Sequence, residues 1–140
     1  MFNPPPYCYC YVCTRAPVLH PRHMVCGKKG VDVDLLEKHH QVDGASDRVV
    51  KMLFKALRSF TDEEREMFLE FVWGRSRLPT GTTGWTHKFR ISRFHCHDDD
   101  NELPRSHTCF FAIDMPDYSS YEVLRKNVLI ASTYWGETNE

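Results

Sequence analysis

The sequence predicts an α+β fold, several short helices packed on a small β-sheet, and three observations lead there. Apolar residues recur at helical spacing between residues 31 and 74, strand-like apolar runs appear only after residue 86, and a helical period returns after residue 119. Helices first and strands late is the α+β order. At 140 residues the chain is expected to make one domain with an appendage. A chain of this size buries roughly two-thirds of its unfolded surface, so it needs no disulfide to hold a core.

The elements follow in order. VDVDLLEKHH, residues 31–40, is expected to form a short helix capped by Asp32 or Asp34. Gln41 to Ser46 make a polar turn around Gly44. Asp47 then caps a second helix in which Val49, Leu53, Ala56, Leu57 and Phe60 share a face. Thr61 with Glu64 is a capping box, the hydroxyl accepting from the third helical amide while the glutamate reaches back. The helix it opens presents Met67, Phe68, Phe71 and Val72 to a core and stops at Gly74, a left-handed C-cap. A loop from Arg75 to Gly84 precedes THKFRIS, residues 86–92, whose alternation of Phe89 and Ile91 with polar neighbours is that of a half-buried strand. The acidic loop HDDDNELP follows. CFFAID, residues 109–114, is expected to be a second strand with both faces covered, ended by Pro116. Ser119 with Glu122 forms another capping box, starting a helix that carries Tyr121, Leu124, Val128 and Ala131.

Composition changes near residue 27. The first 26 residues hold five of the eight prolines, four of the six cysteines and no acidic residue, and show no sustained period. They are expected to be an irregular Cys/Pro-rich appendage, 1–26, to a domain spanning 27–140. Cys8, Cys10, Cys13, His20, His23 and Cys26 are ligand types for a tetrahedral zinc, but their spacing matches no zinc pattern closely. An unstructured lead segment is the reading preferred, with no metal and no cofactor.

Several function classes are disfavoured. A net charge of −1 lacks the basic face that nucleic acid wants. No window approaches the eighteen or so apolar residues of a membrane span, and no charged n-region precedes an apolar stretch. A cytosolic or nuclear setting is therefore expected, with the cysteines as thiols unless bound to metal.

Cys109 lies where a loop rich in turn residues becomes a strand. It could be a small apolar residue opening that strand, or a nucleophile on a rigid base. A free cysteine has a pKa of about 8.5, and backbone amides or a nearby cation such as Arg105 or His107 would favour its thiolate. Spacing alone prefers the apolar reading. His107 and Cys109, two apart on extended chain, would stand roughly 6–7 Å apart, too far for a direct hydrogen bond. His107 is then an orienting or electrostatic neighbour rather than half of a protease-like dyad. The run Asp98-Asp99-Asp100 with Glu102 is expected to be a solvated turn.

LPRSHTCFFAIDMPDYSS, residues 103–120, resembles the thioester-forming segment of HECT-type E3 ubiquitin ligases, where Leu-Pro, Thr-Cys and a downstream Pro-x-Tyr-Ser frame the catalytic cysteine. FTDEEREMFLEFVWGRSRLP resembles the helix and turn that precede it, with wording closest to the HERC-like members, and VDVDLLEKHH resembles the helix that begins the C-terminal lobe. The resemblance implies a HECT C-lobe-like fold and a ubiquitin-protein transferase. Cys109 would accept ubiquitin from an E2 conjugating enzyme as a thioester and pass it to a substrate lysine, with His107 and Thr108 shaping its loop. It implies ubiquitin, an E2 and unknown protein substrates as partners. The family's larger N-terminal lobe, which docks the E2, has no counterpart in residues 1–25. Many members also place an aromatic four residues from the C-terminus, where this tail reads TYWGETNE and Trp135 would have to substitute. The alternative is a catalytically idle truncated lobe that binds ubiquitin or an E2, or competes with a full-length ligase.

Overall fold

The computed structural model describes residues 30–79 and 84–138. The fold is α+β. Among the described residues, helix α1 (Val33–Lys38), strand β1 (His40–Asp43), helix α2 (Asp47–Ser59), helix α3 (Asp62–Trp73), strand β2 (Phe89–Arg93), strand β3 (Arg105–His107), strand β4 (Ala112–Met115) and helix α4 (Tyr121–Thr138) follow in that order. A single turn of 3₁₀ helix, Thr108–Phe110, stands between β3 and β4. The sheet order is β1-β2-β4-β3. β2 pairs in parallel with both β1 and β4, and β3 closes the far edge antiparallel to β4. A parallel pair needs a long crossover, which α2 and α3 supply between β1 and β2.

The helix ends show why the chain breaks where it does. Asp32 caps α1, its carboxylate accepting from the amides of Asp34 and Leu35 at 3.1 Å. The capping box at α3 is complete: Glu64 N donates to Thr61 Oγ1 at 3.2 Å and Thr61 N to Glu64 Oε2 at 2.9 Å. Gly74 ends α3 with φ of 70°, a left-handed conformation that a Cβ would penalise. Between these helices, Arg65 of α3 donates from Nε and Nη2 to the carbonyls of Leu57 and Arg58, both at 2.8 Å. Both carbonyls belong to the last turn of α2, where Leu57 O otherwise receives a long 3.4 Å bond from Phe60 N, so the guanidinium serves as its C-terminal cap. The exposed pairing of Arg58 with Asp34 and Glu37 ties α2 to α1 and is worth at most about 1 kcal/mol.

Apolar burial supplies the larger share. Leu53, Leu57, Leu69 and Phe68 from the helices meet Phe89, Ile91 and Ile113 from the sheet, all essentially solvent-free. Each such side chain contributes roughly 1.5–3 kcal/mol relative to exposure. α3 is buried along most of its girth: Phe68, Leu69, Phe71, Val72 and Trp73 are all covered. It is the central helix, touching α4, β3, β4 and the 3₁₀ turn.

Four expectations need correction. Gln41 to Asp43 belong to an edge strand, not a turn, because β2 offers unpaired backbone; His40–Asp43 is too polar and exposed to carry a strand pattern. Ser46, not Asp47, caps α2, with Val49 N donating to its Oγ at 3.4 Å. The Ser119–Glu122 box does not form. Ser119 is drawn away by Asp100, and Ser120 stands at the helix start instead, accepting from Val123 N at 3.4 Å. CFFAID is a strand only from Ala112, since Thr108–Phe110 coil into the 3₁₀ turn and Phe111 is left-handed. Within the strands that do form, Phe89 and Ile91 alternate inward as expected, and Ala112 and Ile113 are both buried. The 1–26 appendage and the set Cys8, Cys10, Cys13, His20, His23 and Cys26 lie outside the described residues.

Thr61→Ala removes the hydroxyl that satisfies the third amide of α3. Urea unfolding should register a loss of about 1 kcal/mol, with Thr61→Ser close to native.

Candidate functional site

A set of side-chain ties fixes the chain that leads to Cys109. The acidic loop after β2 is held from both sides. Tyr118, fully buried, donates its hydroxyl to the Glu102 carbonyl at 2.7 Å, and Asn127 of α4 donates to the Asp100 carbonyl at 2.9 Å. Burial pushes the Tyr118 phenol up, so it remains a donor. The acidic side chains are engaged rather than freely solvated. Asp99 pairs with Arg93 at 3.2 Å, while Asp100 accepts from both the amide and the hydroxyl of Ser119 at 2.8 and 2.6 Å. The Ser119 hydrogen bonds hold the Asp100 carboxyl below its ordinary range. Arg93 also reaches Asp117 at 2.9 Å, and Arg48 joins that carboxylate at 3.2 Å. This network fastens the end of β2 to the start of α2 and to the segment after β4.

β3 and β4 then form a hairpin. His107 stands opposite Ala112, so the reversal is made in the four residues Thr108–Phe111. The first three coil as a 3₁₀ turn, closed by Phe111 N donating to the Thr108 carbonyl at 3.5 Å. Phe111 takes φ of 50°, the only non-glycine with positive φ among the described residues. Such a conformation costs an L-residue about 1–2 kcal/mol. Its ring offsets that cost. It is fully buried, lies face to face with Trp73 at 4.4 Å and 17°, and meets Phe89 at 5.1 Å. Burial of roughly 1.5–3 kcal/mol and a stacking gain of about 0.5–1.5 kcal/mol outweigh the backbone strain. The Phe111 carbonyl, in turn, accepts from Arg90 N at 3.0 Å, anchoring the turn to β2.

Cys109 sits in that turn with its side chain exposed, and Phe110 beside it is 61% exposed. Thr108 precedes it, within reach of the α3 terminus: a Cβ on Gly74 would lie 3.9 Å from that of Thr108. His107 ends β3, and its Nε2 is 2.8 Å from Asp114 Oδ2 on β4. Sequence spacing offered no sign of Asp114, because the pairing depends on the register of a hairpin that the chain pattern did not reveal. Arg105, considered as a cation for Cys109, lies instead over the Phe94 ring at 4.0 Å. Trp135 is half-buried and turns its ring edge to Phe71 at 6.1 Å. The structure thus brings Cys109, Thr108 and His107 together on one tight reversal. It engages the acidic run and Arg105 elsewhere.

A second described thiol contrasts with Cys109. Cys96 is half-buried and donates to Asp99 Oδ1 at 3.1 Å. Burial, then the carboxylate of Asp99, pushes its thiol up to about 11. Among the described residues no three His, Cys, Asp or Glu side chains gather to hold a metal ion, and no helix is long and apolar enough to cross a membrane.

The sequence model for the HECT domain (ubiquitin-transferase) matches residues 20–138. The chain belongs to the HECT-domain family. It is similar to the E3 ubiquitin-protein ligase HUWE1 of Mus musculus, 35% identical over 115 residues that make 77% of this chain and 3% of that protein. It is equally similar to the E3 ubiquitin-protein ligase HERC2 of Mus musculus, 35% identical over 77% of this chain and 2% of the relative. The E3 ubiquitin-protein ligase TOM1-like of Neurospora crassa is 36% identical over 79% of this chain and 3% of its own length. The chain therefore spans only 2% to 3% of the length of these relatives.

The two thiols should differ in alkylation. Cys96 is expected to react slowly at neutral pH, its rate climbing until about pH 11, and peptide-resolved mass spectrometry can follow it. Asp99→Asn should bring that midpoint down; a native midpoint near the usual 8.5 or so would contradict the assigned environment.

Proposed function

We propose that this HECT-family chain accepts ubiquitin as a thioester on Cys109 and passes it to a lysine amine. One observation carries the reading: the thiol in the segment with the HECT thioester pattern is exposed on a turn braced by a buried aromatic stack. Its relatives are named E3 ubiquitin-protein ligases, which gives the substrate class.

The chemistry suits this placement. The Cys109 thiolate attacks the thioester carbonyl of a ubiquitin-charged E2; a new carbon–sulfur bond forms and the E2 thiolate leaves. Exchange between two thiols of similar acidity is nearly thermoneutral, so positioning matters more than a strong base. In the second step a lysine amine attacks the Cys109 thioester, loses a proton and forms an amide, releasing the Cys109 thiolate. An exposed sulfur allows both partners to approach in turn. His107, fixed by Asp114, and Thr108, against the α3 terminus, support the reversal that carries it. Ubiquitin, an E2 and a protein substrate are the partners this reading requires.

Mixing the purified chain with ubiquitin-charged E2 should yield a chain–ubiquitin adduct that thiol reductant removes on a gel. Cys109→Ala should abolish that adduct while Cys96→Ala retains it. Ubiquitin binding with no adduct, even at high E2 concentration, would instead make the chain a non-covalent interaction module.

A further inference from the structure

We propose that Phe111, held in its left-handed conformation by Trp73, is the positioning residue that turns Cys109 out to solvent. This rests on the reading of Cys109 as the ubiquitin acceptor. It concerns how the thiol is presented, not what it carries.

The geometry has a definite alternative. CFFAID has the apolar, aromatic character of a strand, and side chains on a strand alternate faces with period two. Phe111, Ile113 and Met115 all point into the core, none more than 1% exposed. Were β4 to run back through residues 109–111, Cys109 would fall on that same buried face. The reversal would then be made earlier, at the expense of β3. The left-handed step at Phe111 breaks the alternation, which leaves Cys109 and Phe110 both exposed in a 3₁₀ turn. Glycine is the usual occupant of a left-handed loop position because it lacks a Cβ. A phenylalanine there has to be held by its surroundings. Trp73 does so from the last residue of α3, its ring flat against that of Phe111, with Trp85 beside both rings at 6.3 Å from Trp73 and 6.2 Å from Phe111. Gly74, the next residue, lies beside Thr108. The end of α3 therefore braces the turn from both sides of the thiol: Thr108 before it and Phe111 after it.

The test compares two substitutions that remove the same ring but have opposite backbone preferences. Phe111→Gly tolerates positive φ at no steric cost, whereas β-branched Phe111→Val strongly disfavours it. The readout is the maleimide alkylation rate of Cys109 in the reduced full chain, resolved by peptide mass spectrometry, with Cys96 as internal reference. Phe111→Gly should stay within about twofold of native, and Phe111→Val should react about tenfold more slowly, the population change that matches the left-handed preference. Cys96 should hold its native rate in both. Equal Cys109 rates in the pair, or a faster valine variant with Cys96 unchanged, would overturn the proposal. If loss of the ring unfolds the chain, Cys96 accelerates with Cys109, and Trp73 then decides. Trp73→Leu should slow Cys109 and Trp73→Phe, which keeps a stacking ring, should restore it; indistinguishable rates for those two would also overturn the proposal. Alkylation needs neither ubiquitin nor E2. A native chain with a fast-reacting Cys109 but no ubiquitin adduct would sink the ubiquitin reading alone, whereas a glycine–valine pair of equal rates alongside a Cys109-dependent adduct would sink only the positioning role.

Discussion

Trp73 and Phe111 meet face to face where the last turn of α3 reaches the head of β4. The site depends on this contact because it opposes the local preference of the chain. A run of cysteine, two phenylalanines and alanine would otherwise extend, and an extended run would carry its sulfur inward. Stacking and burial of one ring exceed the cost of one left-handed residue by a small margin, about 2 kcal/mol from the central values of each contribution. A margin of that size is enough to select one conformation in a folded domain. It also leaves the turn sensitive to whatever disturbs the end of α3.

The rest of the scaffold keeps that end still. α3 is clasped on several sides: Arg65 ties it to the carbonyls ending α2, Phe71 meets Trp135 of α4, and Phe68 packs edge-on to Phe89 of β2. On the other side of the site, the acidic loop that a charge count would leave in solvent is anchored through its carbonyls by Tyr118 and Asn127 and through its carboxylates by Arg93 and Ser119. Few of these polar contacts is worth more than about 1 kcal/mol where exposed. Their value lies in placement, since they fix the strand leading into the turn as the aromatic stack fixes the strand leaving it.

Membership of the HECT-domain family and the geometry of the turn complement one another. The family match covers residues 20–138 and is to a domain described as a ubiquitin-transferase. The turn holds an exposed sulfur on a braced base, which is what the proposed acyl exchange between thiols would ask of it. Cys96 illustrates the opposite arrangement in the same chain, a thiol kept protonated by burial and a neighbouring carboxylate.

Local chemistry determined much of this protein from the sequence alone. The Asp32 cap, the Thr61–Glu64 box, the Gly74 stop and the inward alternation of Phe89 and Ile91 all depend on residues within a few positions of one another, where spacing is enough. Family membership was legible as well, through the likeness of the segment around Cys109 to the HECT thioester pattern. What tertiary structure decided depends on contacts between distant residues. The polar strand His40–Asp43 exists because β2 pairs with it, Ser119 leaves its expected helix cap because Asp100 binds it, and His107 finds Asp114 through hairpin register. The left-handed Phe111 belongs with these, for a ring 38 residues earlier in the chain supplies the packing that its own backbone preference opposes.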